Sequence, residues 1–536
     1  MIKNKRAPCS APHRFTREHR QNVKTYDVIV VGAGGSGLAA GLAAAQHGGQ
    51  VLILEKRPQP GGTTGIAVGS FTAAETSQQA ARGIADRVAD HAIDAGQFAD
   101  PQIECRNNDI MRAFFLQEAP RTFDWLCGLG LSFVGPNPEP PNRVPRMHNV
   151  VPGAKAYIAA LQLAFQDQRG TLLCDTTVEE LIKQEGRVIG VRVTAQGHSR
   201  QYHARRGVVL AGGDYANDPG MIAEHKGEQY RKIDGINPFA TGDGQRLAQQ
   251  AGAELVNMDV TYGPELRFVT SSSAPFQQWL PTRGWASQLM GQIARKLPNW
   301  IMRRLIKRLL VTWQHPENAL FQQGAILLNQ RGERFVDETV WPDREIATAN
   351  QPDKIGYILL DGERVRQFSN WPHFISTAPD IAYAYVHDYH RLRPDITRLA
   401  NSLEAVLQPR NLPLDRVRQT LEKYNHFANG NARDPFGRTQ RTPPLRGGPW
   451  CLLGPAKAYF TTTEGGALVD QRMQVLDERG VPIPGLYAAG QNGLSGMVLF
   501  GHGLHIAWAM TSGRLAGEAI MDAHAAGEHK SISIHN

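Results

Sequence analysis

One glycine-rich turn, set between a strand and a helix, constrains this chain more than any other feature of its sequence. The apolar run Tyr26–Val31 predicts a buried β-strand, and the alanine-rich segment Leu38–His47 predicts a helix. Between them lies Gly32–Gly37, which has the spacing Gly-x-Gly-x-x-Gly. A second predicted strand, Val51–Leu54, ends at Glu55. The order of strand, turn, helix and strand indicates a βαβ unit, so we expect an α/β fold.

The three glycines of this turn indicate what the unit binds. Gly32 permits the tight turn, Gly34 lets the backbone approach a pyrophosphate, and Gly37 lets the helix lie close to the strand. The N-terminus of the helix offers unpaired N–H groups to the anion. Glu55, 23 positions after Gly32, can accept hydrogen bonds from a ribose. The unit therefore predicts a bound dinucleotide.

The sequence after Glu55 favours FAD over NAD as that dinucleotide. Gly61–Gly65, with the sequence Gly-Gly-Thr-Thr-Gly, is a second glycine-rich loop, for which a simple NAD domain has no need. Two further segments, Gly207–Gly213 and Pro484–Gln491, have the pattern of strand ends that meet a cofactor. Because the last of these lies near the C-terminus, we expect a domain inserted into the cofactor-binding fold.

Composition and charge exclude several other classes of protein. The five cysteines among 536 residues form no Cys-x-x-Cys pair, which excludes a disulfide framework, a zinc ribbon and an attached c-type haem. We therefore expect no metal site and a cytoplasmic location. The net charge of +8 is not accompanied by a nucleic-acid-binding motif, so no nucleic-acid partner is expected. Residues 1–24 are basic and almost free of apolar side chains, which predicts a disordered arm.

Eight short motifs between Tyr26 and Gly517 carry a resemblance to a known family. Together they resemble the motifs of the FAD-binding fumarate reductase and 3-ketosteroid dehydrogenase flavoprotein family. In chain order they are Gly32–Gly37 with Glu55-Lys56, Gly61–Gly65, Ala211–Gly213, Thr241–Gly244, Arg334–Glu338, Glu464–Gly466, Gly485–Gly490 and Gly513–Gly517.

The resemblance implies a Rossmann-like FAD-binding domain that is split in sequence by an inserted α+β capping domain. We expect the FAD-binding domain at 25–240 and 446–525, the cap at 241–445, and a tail at 526–536. The active site would lie in the cleft between the domains, where hydride moves between flavin N5 and the substrate. No histidine occurs from Gly61 to Ser70, so the FAD is expected to be non-covalent.

The resemblance also assigns individual residues to the cofactor. The helix that begins near Gly503 would direct its positive end at the flavin and stabilise the anionic reduced form. The residues expected to hold FAD are Gly32, Gly34, Gly35, Ser36, Gly37, Glu55, Lys56, Gly61, Gly62, Thr63, Thr64, Gly65, Val178, Ala211, Gly212, Gly213, Asp243, Gly490, Gln491, His505 and Ile506.

The residues that bind a dicarboxylate in fumarate reductases are missing from this chain. Thr461–Thr463 stand in place of a histidine-containing segment, and Phe500 stands where the clamping arginine would fall. Pro342 occupies the position of the proton-donating arginine, which Arg344 could replace only if the loop is two residues longer. Because bidentate arginine contacts supply much of the binding energy of a small diacid, these changes argue against fumarate or succinate.

Aromatic residues near these positions, among them Phe500 and Trp508, predict an uncharged and bulky substrate. We expect dehydrogenation of an apolar cyclic ketone such as a 3-ketosteroid, with hydride leaving a carbon next to the carbonyl. Tyr459 stands near the position of a catalytic tyrosine in the ketosteroid branch, and Thr461 would assist it. Packing at the domain interface is an equally weighted alternative for Tyr459. The second tyrosine of that branch is absent, with Trp341 and Pro342 in its region.

Further catalytic and substrate-binding candidates come from the C-terminal part and the cap. His502, in Gly-His-Gly, is the imidazole expected nearest the reacting atoms, and its ordinary pKa suits proton transfer. A hydrogen bond to the flavin or to the backbone is its alternative role. Tyr262, Phe500 and Thr462 are expected to line the substrate site, with packing as the commoner role for a tyrosine in the position of Tyr262.

A basic segment in the cap leaves the partners open. Ile301–Leu310 places apolar side chains on one half of a predicted helix at about 293–312, and four cations on the other. It predicts either peripheral contact with the inner membrane face or a cap helix with a solvated basic face. Membrane contact would suit a lipophilic substrate or a quinone acceptor. Two other functions stay open, namely a reductase of an unsaturated carboxylic acid that uses Arg344, and a membrane-docked flavin subunit for electron transfer.

Overall fold

The computed structural model of the chain describes residues 23–269, 307–308, 311, 315–378 and 382–531. The predicted arm, except for its last two residues, and most of the predicted basic helix therefore lie outside the described residues. The strands are, in chain order, β1 Lys24–Val31, β2 Val51–Leu54, β3 Ser70–Thr72, β4 Ser132–Asn137, β5 Met147–Val151, β6 Thr171–Leu173, β7 Thr176–Gln184, β8 Arg187–Ala195, β9 His198–Leu210, β10 Asp234–Gly235, β11 Leu255–Val256, β12 Thr261–Tyr262, β13 Glu265–Phe268, β14 Ile326–Leu328, β15 Gly356–Leu360, β16 Ser376–Ala378, β17 Ala382–Ala384, β18 Thr397–Ala400, β19 Trp450–Phe460, β20 Thr462–Thr463, β21 Gly466–Ala467, β22 Gln474–Leu476 and β23 Pro482–Ala488.

The helices surround two sheets that these strands form. The described helices are, in chain order, α1 Gly35–Gln46, α2 Ser77–Ala80, α3 Val88–Ala95, α4 Pro101–Glu104, α5 Asp109–Gly128, α6 Lys155–Asp167, α7 Pro219–His225, α8 Asp243–Gln250, α9 Ala319–Gln322, α10 Asp343–Ala349, α11 Gly362–Gln367, α12 Val386–Leu392, α13 Leu403–Leu407, α14 Leu414–Ala428 and α15 Leu504–Ser531. Helix α15 extends through the first residues of the predicted tail, which therefore begins later than 526.

The first sheet confirms the mixed α/β architecture expected from the glycine-rich turn. β1 pairs in parallel with β2 on one side and with β9 on the other. β23 joins β9, which gives the order β22-β23-β9-β1-β2-β6, while β7 and β8 extend from β9 as antiparallel strands. Both ends of the sequence therefore build this sheet.

Helix α1 packs closely against α15 on one face of this sheet. The contact depends on two glycines of α15, because a Cβ on Gly513 would lie 2.4 Å from the carbonyl oxygen of Ser36. A Cβ on Gly517 would lie 2.3 Å from the carbonyl oxygen of Ala40. Such distances lie far inside van der Waals contact, so only glycine at these positions lets the two backbones approach.

The second sheet lies in the inserted part of the chain, and β19 is its centre. β19 pairs with β10, β13, β15 and β18, and β14 adds to β15. The boundary predicted at 445/446 therefore needs correction, because β19 belongs to the cap sheet and the chain leaves the cap only after Phe460. An apolar strand has the same sequence pattern in either domain, so the pattern alone does not show to which sheet β19 belongs.

Short ladders join the two parts of the chain beside the cleft. β12 pairs with β20, so that Tyr262 lies opposite Thr462. β11 pairs with β21, so that Val256 lies opposite Gly466. The segment that follows the cap sheet is thereby held against the segment that enters the cap.

Two residues of the predicted basic face, Lys307 and Arg308, are described. Lys307 Nζ lies 2.9 Å from Asp388 Oδ2 and 5.3 Å from the ring centroid of Tyr385. This cation therefore pairs with its own domain, and contact with a membrane stays a prediction. In the part of the chain that the structure describes, no helix combines the length and the apolar character needed to cross a membrane.

We expect Gly517→Ala to destabilise the protein, because the added methyl group would overlap with the carbonyl of Ala40. Overpacking of this kind costs about 1–3 kcal/mol. Thermal unfolding followed by circular dichroism should give a melting temperature lowered by a few degrees. Gly128→Ala is the matched control, since Gly128 ends α5 and no neighbouring atom lies within 4 Å of its Cβ position. Equal melting temperatures for the two variants would contradict this account.

Candidate functional site

The two glycine-rich loops predicted to hold the cofactor face each other at the end of β1. A Cβ on Gly62 would lie 3.1 Å from Gly34 Cα, and a Cβ on Gly34 would lie 3.8 Å from Gly62 Cα. Gly32 has φ +103°, a conformation that other residues rarely adopt. No side chain caps α1 at Gly34, so the first N–H groups of that helix stay available to an anion. These residues fit the diphosphate of a dinucleotide.

Glu55 and Lys56 lie beside these loops at the end of β2. The Glu55 carboxylate accepts hydrogen bonds from the backbone N–H groups of Ala33, at 2.8 Å, and of Arg57, at 2.9 Å. Lys56 Nζ lies 2.7 Å from Asp243 Oδ2 at the start of α8. The Glu55 carboxylate thus lies where the sequence analysis expects a ribose. The Lys56–Asp243 pair connects the end of β2 to the segment that enters the cap.

The remaining FAD candidates surround the same loops. A Cβ on Gly35 would lie 2.7 Å from Thr64 Oγ1, and a Cβ on Gly490 would lie 2.7 Å from Ser36 Oγ. His505 and Ile506 lie in the first turn of α15. The structure therefore brings residues from distant parts of the sequence to one end of the first sheet, and their contacts with FAD stay a prediction. The others in this region are Gly37, Gly61, Thr63, Gly65, Ala211, Gly212, Gly213 and Gln491, with Val178 buried on β7.

A histidine and a glutamate meet just before α15. The backbone N–H of His502 donates to Glu139 Oε1 at 2.7 Å, and His502 Nδ1 lies 2.6 Å from the same oxygen. Thr72 Oγ1 donates to the His502 carbonyl oxygen at 2.6 Å, which fastens the loop to β3. The side chain of His502 is 57% exposed, whereas Glu139 is 4% exposed. The imidazole is therefore fixed through Nδ1 and open on its other side.

The charges around His502 favour its protonated form. Burial lowers the pKa of His502, but the hydrogen bond and the charge of Glu139, together with the Glu265 carboxylate, raise that pKa by more. The resulting pKa lies above the ordinary value of 6.5. At neutral pH, more of His502 is therefore protonated than of a free histidine.

Tyr262, Phe500 and His505 form an aromatic group near the start of α15. The ring of Tyr262 packs edge-on against Phe500, with centroids 5.1 Å apart, and lies 6.4 Å from the ring of His505. Burial and nearby carboxylates, of which Glu265 has the largest effect, raise the pKa of Tyr262. Its hydroxyl therefore stays protonated at neutral pH. His505 Nε2 in turn lies 2.7 Å from Glu464 Oε1.

Three cap residues that the sequence analysis missed, Glu265, Arg267 and His315, complete this group. Arg267 Nη2 donates to Glu265 Oε2 at 2.8 Å and to Thr461 Oγ1 at 3.2 Å. His315 Nδ1 lies 3.9 Å from Glu265 Oε2. Burial raises the pKa of Glu265, but nearby positive charge, chiefly that of Arg267, lowers it by more, so this carboxyl is ionised at neutral pH. Burial lowers the pKa of His315, which is therefore uncharged.

Tyr459 and Trp508 have different surroundings. Tyr459 on β19 pairs in register with Asp234 on β10 and with Glu265 on β13. Burial and the Asp234 carboxylate raise the pKa of Tyr459. Trp508 is fully buried, and its Nε1 donates to the carbonyl oxygen of Gly490 at 3.0 Å. The catalytic role of Tyr459 therefore stays a prediction, whereas Trp508 is packed in the core.

Arg344 is buried with its donors occupied. Nε and Nη2 of Arg344 donate to Glu345 Oε1, at 2.9 and 2.5 Å. Nη1 donates to the carbonyl oxygen of Glu338, and Nη2 also donates to Asn318 Oδ1 at 2.8 Å. These contacts hold α10 to the segment after His315. To replace the missing arginine, Arg344 would have to offer an open guanidinium group to a carboxylate. These contacts instead occupy its donors.

Thr462 also differs from its expected role in the substrate site. It is 6% exposed, and its Oγ1 donates to Asp214 Oδ2 at 3.2 Å. Thr462 Oγ1 also accepts a hydrogen bond from Gln491 Nε2 at 3.1 Å. Because its hydroxyl is already paired on both sides, Thr462 supports Gln491 rather than a substrate.

Comparison with known proteins identifies the family of the chain. The sequence profile of the family described as FAD binding domain matches residues 27–269 and 285–500. Vinyl phenol reductase of Lactiplantibacillus plantarum is 28% identical to this chain over 526 residues, covering 92% of this chain and 96% of that protein.

Two solved structures share the fold. One is the open conformation of a flavocytochrome c3 fumarate reductase, with a TM-score of 0.69 and 23% identity, covering 93% of this chain and 78% of that chain. The other is a 3-ketosteroid Δ1-dehydrogenase from Sterolibacterium denitrificans in complex with 1,4-androstadiene-3,17-dione. Its TM-score is 0.60 at 20% identity, covering 94% of this chain and the whole of the other.

We expect Gly34→Ala to keep the fold and to lose the cofactor. The nearest atom to the added Cβ, Gly62 Cα at 3.8 Å, is in ordinary contact, so the protein should melt normally. The methyl group would fill the space through which a diphosphate has to approach the backbone. The purified variant should therefore lack the visible flavin absorbance that Gly128→Ala retains. Heat denaturation of the unmodified protein should release all its flavin, as non-covalent binding requires. A yellow Gly34→Ala protein would contradict the assignment.

Proposed function

Because this chain belongs to the FAD-binding flavoprotein family of fumarate reductases and 3-ketosteroid dehydrogenases, we propose that it reduces a carbon–carbon double bond in an uncharged, conjugated substrate. The chain is an FAD-dependent oxidoreductase, and FAD, when bound, supplies hydride at N5 or accepts it in the reverse, dehydrogenating direction. The residues of the chain then have to bind the substrate, exclude water and deliver a proton.

The observation that carries the proposal is the contact between Glu139 and His502. Reduction of a double bond needs one proton for each hydride, and a histidine with a raised pKa is a suitable donor. Because Nδ1 contacts Glu139, Nε2 would be the nitrogen that meets the substrate. In the proposed mechanism, His502 gives its Nε2 proton to one carbon of the double bond. Glu139 acts as the positioning residue, since it fixes the imidazole and stabilises its charge.

The absence of a carboxylate clamp among the described residues supports an uncharged substrate. Phe500 stands at the position of the clamping arginine of fumarate reductases, and it packs against Tyr262. The donors of Arg344 are occupied. The nearby Arg267 is already paired with Glu265. The name of the similar vinyl phenol reductase also points to a neutral alkene. These observations favour this proposal over an unsaturated acid reduced with the help of Arg344.

Dehydrogenation of a cyclic ketone is the second candidate, and Tyr262 is the observation that favours it. Its hydroxyl stays protonated beside Phe500 and His505, so it can donate a hydrogen bond to a ketone oxygen. In that reaction Tyr262 would take the role that the sequence analysis gave to Tyr459. A quinone stays the predicted electron partner in this direction.

We expect His502→Asn to lower the rate of double-bond reduction by about 10²–10⁴-fold, because the proton donor is lost. The steady-state oxidation of reduced viologen by 4-vinylphenol, followed anaerobically, measures this rate. The rate of the unmodified enzyme should fall as the pH rises through the pKa of His502, since only the protonated imidazole donates. Glu139→Gln keeps an acceptor for His502 but removes the charge that raises its pKa, so the fall should occur at lower pH.

The exposed His198 on β9 provides the matched control for these variants. His198→Asn should leave both the rate and its pH dependence unchanged. The proposed role of His502 is wrong if His502→Asn reduces 4-vinylphenol at the unmodified rate. The role of Glu139 is wrong if Glu139→Gln lowers the rate equally at every pH, because a loss of structure alone would have that effect.

A further inference from the structure

Glu265 is a carboxylate for which the proposed chemistry has no use. It begins β13, three residues after Tyr262, whose ring packs on Phe500. Its side chain is 22% exposed. Trp341 Nε1 donates to the carbonyl oxygen of Pro264 at 2.8 Å and so holds the turn that precedes it. The carboxylate thus follows a fixed turn and lies close enough to His502 to affect its pKa.

The charges beside Glu265 are balanced. Arg267 Nη2 donates to Glu265 Oε2 at 2.8 Å, and the same nitrogen donates to Thr461 Oγ1. His315 lies 3.9 Å from Oε2 and is uncharged. The second pair at the cleft, His502 with Glu139, has a net charge of zero when His502 is protonated. A ligand therefore meets two neutral pairs, each with a fixed hydrogen-bonding direction.

This balance discriminates among ligand charges. A carboxylate would approach two carboxylates and would find Arg267 already paired, which leaves its own charge poorly compensated. A cation would approach Arg267 and protonated His502. A neutral hydroxyl can donate to the Glu265 carboxylate, and hydrogen bonds to a charged acceptor are stronger than neutral ones.

We propose that Glu265 accepts a hydrogen bond from a hydroxyl group of the substrate, and so selects hydroxyl-bearing conjugated alkenes, in particular hydroxyaryl alkenes, over carboxylates. This inference rests on the proposed function, because it concerns the same cleft. Glu265 is a specificity-determining residue in this account, and it takes no part in the delivery of the proton.

The test uses saturated ligands, which cannot react, and calorimetric titration of the holoenzyme. 4-Ethylphenol carries the hydroxyl, 4-ethylanisole replaces its hydrogen by a methyl group, and 4-ethylbenzoate carries a carboxylate on the same ring. We expect 4-ethylphenol to bind about tenfold or more tightly than 4-ethylanisole, with 4-ethylbenzoate weakest. In Glu265→Gln the advantage of the phenol should fall by about tenfold. Binding of 4-ethylbenzoate should improve, because Arg267 loses its anionic partner.

Glu363→Gln is the matched control, since Glu363 is 57% exposed on α11 of the same domain. It should keep the ligand order of the unmodified enzyme. The inference is overturned if the unmodified enzyme binds 4-ethylanisole as tightly as 4-ethylphenol, or binds 4-ethylbenzoate most tightly. This comparison stands even if Glu265→Gln fails to fold, which its melting temperature would reveal. The proposed function fails separately, if the reduced enzyme reduces no conjugated alkene of any charge.

Discussion

The close approach of α15 to α1 is the constraint on which the rest of the structure depends. Glycines at 513 and 517 let the last helix lie on the first one, and Gly490 accepts from Trp508 and donates to Ser512 of that helix. The C-terminal segment is thereby held at the end of β1, beside the glycine-rich turn. Because the loop before α15 carries His502, the same helix contact that completes the cofactor site also sets the position of the proposed proton donor.

Paired charges give the cleft its chemical character. His502 is paired with Glu139, Glu265 with Arg267, and His505 with Glu464. The chain shares its fold with a fumarate reductase. Among such paired charges, individual hydrogen bonds decide which substrates bind. The raised pKa of His502 follows from the same pairing, which links the choice of substrate to the supply of the proton.

The cofactor region was predictable from sequence because glycines are required there by backbone geometry, whatever fills the rest of the chain. Glu139 was not predictable, since 363 positions separate it from His502 and no motif marks it. Glu265 and Arg267 did leave a signal: they alternate on a strand after Tyr262 and therefore share one face. The error over the return from the cap has a related cause, because only pairing with distant strands shows to which sheet β19 belongs.

The central claim is that the reduced enzyme delivers hydride and a proton to a neutral conjugated alkene. The most direct test is to reduce the purified holoenzyme anaerobically, mix it with one equivalent of 4-vinylphenol or of fumarate, and follow the visible flavin band. The account predicts that 4-vinylphenol restores the oxidised spectrum within a single turnover and yields 4-ethylphenol, while fumarate leaves the flavin reduced. Restoration by fumarate, with no reaction of 4-vinylphenol, would contradict it.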